Sequence, residues 1–298
     1  MKTSFIFMYF PVVFLVSSCH TAAKTGNEGL FSKENLVAWC IVPFDAEKRS
    51  PEERALMLKD LGITQFAYDW REEHLPTFKE EINVLGRQNI DLKSVWFWIN
   101  GNQENILDST NEFLLASLKE GNVKTELWVC FNNTFFEGLS DSECLDKAII
   151  AIKIIHQRAM DAGCSIALYN HGDWFGEPEN QVRIIEGSGL KDIRIVYNFH
   201  HAHLQISRFP ELLDLMMPYL GTVNINGMTQ GGPKILPIGT GDEEQKMIEI
   251  LKKSGFNGSI GILGHTEGED IKLVLERNIN GLKSLLRKMN ETEALKTY

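Results

Sequence analysis

The sequence predicts a single-domain α/β protein of the (β/α)8 TIM-barrel class. Short apolar runs alternate with amphipathic stretches eight times between residues 36 and 288, the pattern of parallel strands each followed by a helix. The runs are continuously apolar, as strands covered on both faces are. Pro43-Phe44-Asp45 follows the first run, where an open doubly wound sheet would normally carry a glycine-rich phosphate loop.

The elements follow in order. Residues 36–42 read as the first strand. Ser50-Pro51-Glu52-Glu53 opens a helix, with Ser50 as N-cap and Glu53 closing a capping box, and Gly62 ends it. Residues 65–69 are the second strand and 75–87 the second helix. Residues 91–98 are the third strand, before a helix over 106–120 stopped by Gly121. Residues 125–131 are the fourth strand. Ser140-Asp141-Ser142-Glu143 is a second capping box and starts a long helix ending at Gly163. The fifth strand, 165–169, precedes a helix over 178–186. The sixth, 194–198, precedes one over 209–217. The seventh is 222–226, and Asp242 and Gln245 are expected to cap the next helix, which ends at Ser254-Gly255. The eighth is 259–263. The last helix, 270–288, lines up Ile271, Val274, Leu275, Ile279, Leu282, Leu285 and Leu286 on one stripe. The barrel spans 31–289, and the polar tail 290–298 is expected to fray.

The chain of 298 residues is 43% hydrophobic, with 24 Gly and 9 Pro, which excludes a disordered or collagen-like protein. Its length allows a large core. With 30 Lys+Arg against 40 Asp+Glu, the net charge is −10. That balance argues against a nucleic-acid partner, which needs a basic footprint.

Residues 1–19 read as a processing segment. Lys2 supplies positive charge, and the apolar run 5–16 is too short to span a bilayer as a helix. Val16-Ser17-Ser18-Cys19 resembles the bacterial lipobox, in which the Cys is acylated. Residues 20–30 are small and polar and read as a flexible tether. The expectation is an exported, periplasmic body held to a membrane only by lipid on Cys19. The remaining Cys40, Cys130, Cys144 and Cys164 show neither metal-type nor redox-type spacing. They read as buried thiols; export would permit pairing, and the spacing names no pair.

Barrels of this class carry function on the loops after the strands' C-terminal ends. That rule selects Asp69, Trp70 and Arg71 after the second strand and Trp98 at the end of the third. It selects Asn170, His171, Trp174 and Glu177 after the fifth, and Asn198, His200, His201 and His203 after the sixth. Asn224 and Asn226 end the seventh, and His265 and Glu267 follow the eighth. Five of the eight histidines thus fall on three loops of one rim, which points to a site. Trp70, Trp98 and Trp174 either stack on a sugar face or pack structurally. Neutral Asn and His groups in a concave site suit a polyhydroxylated ligand. Lipase, nucleotide-hydrolase and zincin motifs are absent from the sequence. Asp69 with Glu177 or Glu267 could serve as a glycosidase pair, but nothing singles out two carboxylates.

The second half resembles the xylose isomerase-like TIM-barrel family, also described as sugar phosphate isomerase/epimerase or AP endonuclease family 2 barrels. The resembling stretches are Ala167-Leu168-Tyr169-Asn170-His171-Gly172, Val196-Tyr197-Asn198-Phe199-His200-His201, Val223-Asn224-Ile225-Asn226 and Leu236-Pro237-Ile238-Gly239-Thr240-Gly241-Asp242. The resemblance implies a divalent metal held by Glu, Asp, His and Glu at strand ends, polarising a sugar carbonyl while carboxylates shuttle a proton. Here Tyr169 stands where the fifth-strand Glu is expected, Asn198 for the Asp and Asn224 for the His. Leu263, or Gly264-His265, stands for the last Glu, whereas His201 is kept. The cofactor is therefore left open: the hard carboxylate cage is replaced, and a set of His171, His201 and His265 would suit Zn²⁺-like ions. The resemblance implies an isomerase or epimerase, or a lyase variant, acting on a small carbohydrate. His171, His201 and His265 are the candidate acid/base groups, with Glu267 as orienter. Asp69, Trp70, Arg71, Trp98, Asn170, Trp174, Glu177, Asn198, His203, Asn224 and Asn226 are candidates for the substrate. The alternative is a carbohydrate-binding lipoprotein that has lost the metal site.

Overall fold

The computed structural model describes residues 29–101 and 105–298. The signal segment, the lipobox Cys19 and nearly all of the tether therefore lie outside the described residues. Eight parallel strands close into a barrel in sequence order: β1 (Leu36–Trp39), β2 (Gln65–Tyr68), β3 (Asp91–Ile99), β4 (Glu126–Phe131), β5 (Ser165–Tyr169), β6 (Arg194–Asn198), β7 (Leu220–Ile225) and β8 (Ser259–Leu263). The seam is closed by β1 on β8, from Leu36 opposite Ile260 to Trp39 opposite Leu263. Helices cross between them: α1 (Pro51–Asp60), α2 (Phe78–Gln88), α3 (Ser109–Glu120), α4 (Asp141–Asp161), α5 (Asp173–Gly176), α6 (Pro178–Ser188), α7 (Phe209–Met216), α8 (Glu244–Lys253), α9 (Ile271–Lys288) and α10 (Thr292–Leu295). Among the described residues, no helix is long and apolar enough to cross a membrane.

Period-two alternation along the strands divides the apolar residues into two cores. The outer core lies between sheet and helices. The inner one fills the barrel with Val37, Trp39, Ala67, Trp128, Cys130, Ala167, Tyr169, Val196 and Leu263. Large and small residues complement each other there: the Trp39 ring meets Trp128 edge-on at 4.8 Å, and Ala67 and Ala167 leave room for the indoles. The barrel is thus plugged below its C-terminal mouth, and a ligand can enter only above that plug. A buried ion pair, Arg54 Nη1 to Glu81 Oε2 at 3.1 Å, joins α1 to α2.

Several elements differ from expectation. β1 stops at Trp39 because Cys40 takes φ 56°, which breaks the extended backbone. A 3-10 turn, Glu72–Thr77, precedes α2, which begins only at Phe78. The N-cap of α8 is Glu243, without a side-chain cap, so Asp242 and Gln245 do not cap it. The adjoining Glu244 is buried instead. Its carboxylate accepts from the backbone N–H groups of Met228, Gly239 and Gly241 and pins the long loop after β7. The tail does not fray. α10 buries Ala294, Tyr298 Oη donates to Phe31 O at 2.8 Å, and Lys33 N donates to Thr297 Oγ1 at 2.8 Å. The four described cysteines are free.

Candidate functional site

The C-terminal ends of the strands enclose a chamber of about 90 Å³ lined by Trp39, Cys40, Phe44, Asp69, Arg71, Trp96, Tyr169, His171, Asn198, His200, His201 and His265. Arg71, Trp96 and His171 also line an outer cleft of about 320 Å³, completed by Trp70, Glu72 and Trp98. The chamber alone is smaller than the roughly 300 Å³ or more of an ordinary ligand pocket. A monosaccharide would have to occupy chamber and cleft together, with the Trp96 and Trp98 indoles, stacked at 6.0 Å and 17°, as wall. A larger hollow of about 760 Å³ lies at the other end of the barrel, where Asp91, Lys93, Glu126 and Arg194 mix both charges at the strand starts. The convergent histidines are not there.

Four imidazoles stand in a row across the mouth. His171 lies 4.7 Å from His201, His201 4.5 Å from His200, and His200 5.1 Å from His265, ring centre to ring centre. Phe44 stacks on His265 at 3.8 Å. Burial disfavours the imidazolium form. It pushes His200, with help from His265 and Lys234, down to about 3, and His265, with help from Arg71 and Lys234, down to about 4. His201 and His171 are lowered likewise by burial, with His200 and Lys234 respectively the next largest contributions. All four rings are therefore neutral at neutral pH, each with one N–H donor and one acceptor nitrogen. His200 Nδ1 faces the Lys234 carbonyl at 3.3 Å and so carries the proton, leaving Nε2 as acceptor.

Asp69 is the one carboxylate lining the chamber. Its Oδ1 accepts from Val42 N at 3.3 Å, while its buried Oδ2 has no hydrogen-bond partner among the described residues. Burial raises this carboxyl to about 6 against the opposing pull of the Val42 N–H and the Arg71 guanidinium. A carboxyl in that range exchanges protons near neutrality. On the opposite wall, Tyr169 Oη accepts from Trp39 Nε1 at 3.2 Å and from Asn198 Nδ2. Asn198 Oδ1 accepts from His200 N at 3.1 Å, which fixes the orientation of the amide.

Of the residues expected at the site, Asp69, Arg71, Asn198, His171, His201 and His265 meet in the chamber, and Trp70 and Trp98 line the cleft. The others lie elsewhere. Asn170 is a strand clamp, accepting from Asn198 N at 2.7 Å and donating to its carbonyl at 3.2 Å. Asn224 is fully buried beside Gly261, with Oδ1 and Nδ2 unpartnered. Asn226 donates to Gly227 O and Lys234 O and leaves Oδ1 unpartnered. His203 turns both ring nitrogens to backbone carbonyls, of Thr229 at 2.9 Å and Lys234 at 3.0 Å, and braces the loop after β7. Trp174 donates to Asp141 and lines a separate side cleft with Asn132 and Asn133. Glu177 is exposed and accepts from Gln205. Glu267 is exposed on the turn after β8 and makes no hydrogen bond to a histidine among the described residues, so it orients none of them. The sequence pointed to neither Trp39, Cys40, Phe44 nor Trp96, and it gave no role to His200, one of the rim histidines, or to Tyr169, noted only in place of a metal ligand. Inward alternation from Trp39 and Tyr169 was the signal that could have found them.

The positions that the resemblance gives to metal ligands do not fit a divalent cation. Tyr169 is a buried phenol whose pKa burial raises well above its usual value, and Leu263 belongs to the inner apolar core. No group of three His, Cys, Asp or Glu among the described residues is placed to hold a metal ion. The set of His171, His201 and His265 is no exception: His171 and His201 lie 4.7 Å apart, ring centre to ring centre, whereas the histidine ring in contact with His265 is that of His200.

No protein-family model matches the chain, and no curated protein matches it in sequence. Solved structures do match in shape. Apo 3-keto-D-glucoside 4-epimerase from E. coli shares 17% identity over 86% of this chain and 100% of its own, with a TM-score of 0.63. A xylose isomerase domain containing protein from Salmonella typhimurium shares 12% over 86% and 98%, at 0.61. D-psicose 3-epimerase from Clostridium cellulolyticum H10, solved with D-tagatose, shares 15% over 88% and 96%, at 0.56. At these identities the likeness is one of architecture: the chain shares with these proteins the closed eight-stranded (β/α)8 barrel.

Proposed function

We propose that this protein binds a small carbohydrate in the chamber and outer cleft and moves a proton at the carbon next to its carbonyl. The reaction class is isomerisation or epimerisation, with β-elimination as the lyase variant of the same first step. The observation that carries this reading is Asp69: a buried carboxyl raised to about 6, with Oδ2 unpartnered, on a chamber walled by neutral hydrogen-bond donors. The architectural likeness to sugar epimerases supports the carbohydrate class.

Asp69, rather than a histidine, takes the role of base. Burial and the nearby cations hold the imidazoles well below neutrality, so they accept protons poorly but remain N–H donors. In the first step, the C–H bond next to the carbonyl breaks and its proton goes to Asp69 Oδ2. The electron pair forms the C=C bond of an enediolate, whose oxygen carries the negative charge. Delivery of a proton to the opposite face of the same carbon completes epimerisation; return of the proton from Asp69 to the neighbouring carbon, with the hydroxyl proton passing from one enediolate oxygen to the other, completes isomerisation. Neutral His171 and His201, 4.7 Å apart, flank the place where the enediolate forms. Export and lipid attachment at Cys19 belong to the same proposal, on the strength of the apolar run and Val16-Ser17-Ser18-Cys19.

The test is incubation with keto-sugars in D₂O, followed by NMR for deuterium entering the carbon next to the carbonyl. Exchange by the wild type that falls by about 10²–10⁴ in Asp69→Asn supports the reading. Sugar binding without exchange between pH 5 and 8 would leave a carbohydrate-binding module, the reading that the lost metal ligands favour.

A further inference from the structure

The Tyr169 hydroxyl has a hydrogen-bond problem whose solution points into the chamber. Its oxygen accepts from Trp39 Nε1, a donor only, and from Asn198 Nδ2. The amide cannot be turned to accept instead, because its Oδ1 already takes the His200 N–H. Both partners therefore donate to the phenol, and neither receives its proton. No acceptor for that proton is found among the described residues, and a buried hydroxyl proton without an acceptor is costly. Tyr169 is 2% exposed, is packed by Trp39, Trp96 and Trp128, and is one of the residues lining the chamber, with Asp69 and His201.

We propose that the Tyr169 hydroxyl is the donor that stabilises the negative charge developing on the ligand's carbonyl oxygen, in place of a metal ion. The inference rests on the proton-transfer reading above and adds to it the group that makes the reaction metal-independent. The ligand class follows: a sugar or sugar derivative with a free carbonyl, placed so that its oxygen faces Tyr169 and its adjacent C–H faces Asp69. Two N–H groups donating to the phenol oxygen polarise its O–H bond, so the proton is offered more strongly than by a lone tyrosine. The hydroxyl stays protonated throughout the neutral range, because burial opposes the phenolate. No proton is transferred from Tyr169. It holds the oxyanion by a hydrogen bond while the C–H proton travels to Asp69 and back. Trp39 and Asn198 are positioning residues, acting on the ligand through the phenol.

The experiment compares wild type, Tyr169→Phe and Trp39→Phe after treatment with a chelator. Two readouts are taken: deuterium exchange into a keto-sugar, and binding of that sugar against a sugar-derived hydroxamate that mimics the enediolate. The wild type should exchange unimpaired after chelation and bind the hydroxamate at least about tenfold more tightly than the sugar. Tyr169→Phe should lose about 10²–10³ in exchange and lose the hydroxamate preference, with sugar affinity within a fewfold of wild type. Trp39→Phe, which keeps the hydroxyl but removes one of its polarising donors, should fall between them. Thermal melting identifies any variant that fails to fold, and Trp39→Phe then carries the test. Tyr169→Phe exchange within about threefold of wild type, or wild-type exchange abolished by the chelator, overturns the Tyr169 assignment and leaves the proton-transfer reading intact. A hydroxamate preference that depends on Tyr169, without exchange in the wild type, supports the donor and defeats the proton-transfer reading. A wild type that binds neither probe defeats both.

Discussion

Asn224 fills the space that a side chain on Gly261 would need. The two face each other across the β7–β8 pairing, and a Cβ on Gly261 would collide with Asn224 Oδ1. Gly261→Ala is therefore expected to destabilise the barrel by about 2 kcal/mol or more. Adding Asn224→Ala should recover at least half of that loss, because it removes the colliding group and two buried polar atoms without partners. Denaturant melts of the single and double variants measure the coupling, and additive losses would show that the collision is not the cause.

The raised carboxyl of Asp69 has a cost in stability with a definite sign. The native state holds this proton up to about pH 6, whereas an unfolded Asp releases it near 4. Between those values the native state binds more protons, so this group's contribution to stability falls as pH rises from about 4 to about 6 and stays low above. Asp69→Asn should remove a penalty on the order of 2 kcal/mol at pH 8. Its melting temperature should exceed the wild type's at pH 8 by more than it does at pH 4. An equal difference at both pH values would mean that the carboxyl is not raised.

The imidazole row acts in the opposite direction. His265 at about 4 and His200 at about 3 bind protons less readily in the native state than in the unfolded chain, where His titrates near 6.5. Their contribution is complete above about pH 6.5 and is lost as pH falls through 4 and then 3. His200→Gln should flatten the acid limb of a stability profile relative to wild type. An unchanged acid limb would show that the ring is not held neutral by the fold.

Much of the fold was legible because barrel strands are short, apolar and punctuated. β5, β6 and β8 have the bounds that their apolar runs predict, and both Ser-x-x-Glu capping boxes form at α1 and α4. β1 ended early because the positive φ of Cys40 has no signature in residue type. The site was half legible. Asp69, Asn198, His171, His201 and His265 were reached by the rule that strand ends carry function. Asn170 follows the inward-facing Tyr169 by one position, so strict alternation already turned it away from the chamber. Glu177, Glu267, Trp174 and His203 lie on longer loops, where proximity in sequence does not tell which way a side chain points. Tyr169 was noted at a ligand position but given no role of its own, because residue type does not tell where its hydroxyl finds partners.

Cys19, outside the described residues, is expected to carry the lipid. Cys19→Ala should leave the barrel folded, with an unchanged circular dichroism spectrum, and move the protein from the membrane fraction to the soluble one. Sedimentation of the variant with membranes, as for wild type, would remove the lipoprotein proposal.

The docked C-terminus gives the molecule an orientation. Tyr298 and Thr297 bond to Phe31 and Lys33, just before β1 begins, so both ends of the described chain meet beneath the barrel floor. The chamber opens at the opposite pole, between the strands' C-terminal ends. The cup and the clasped ends thus lie at opposite poles of the described barrel, and immobilising the protein by its C-terminus should leave ligand access undiminished.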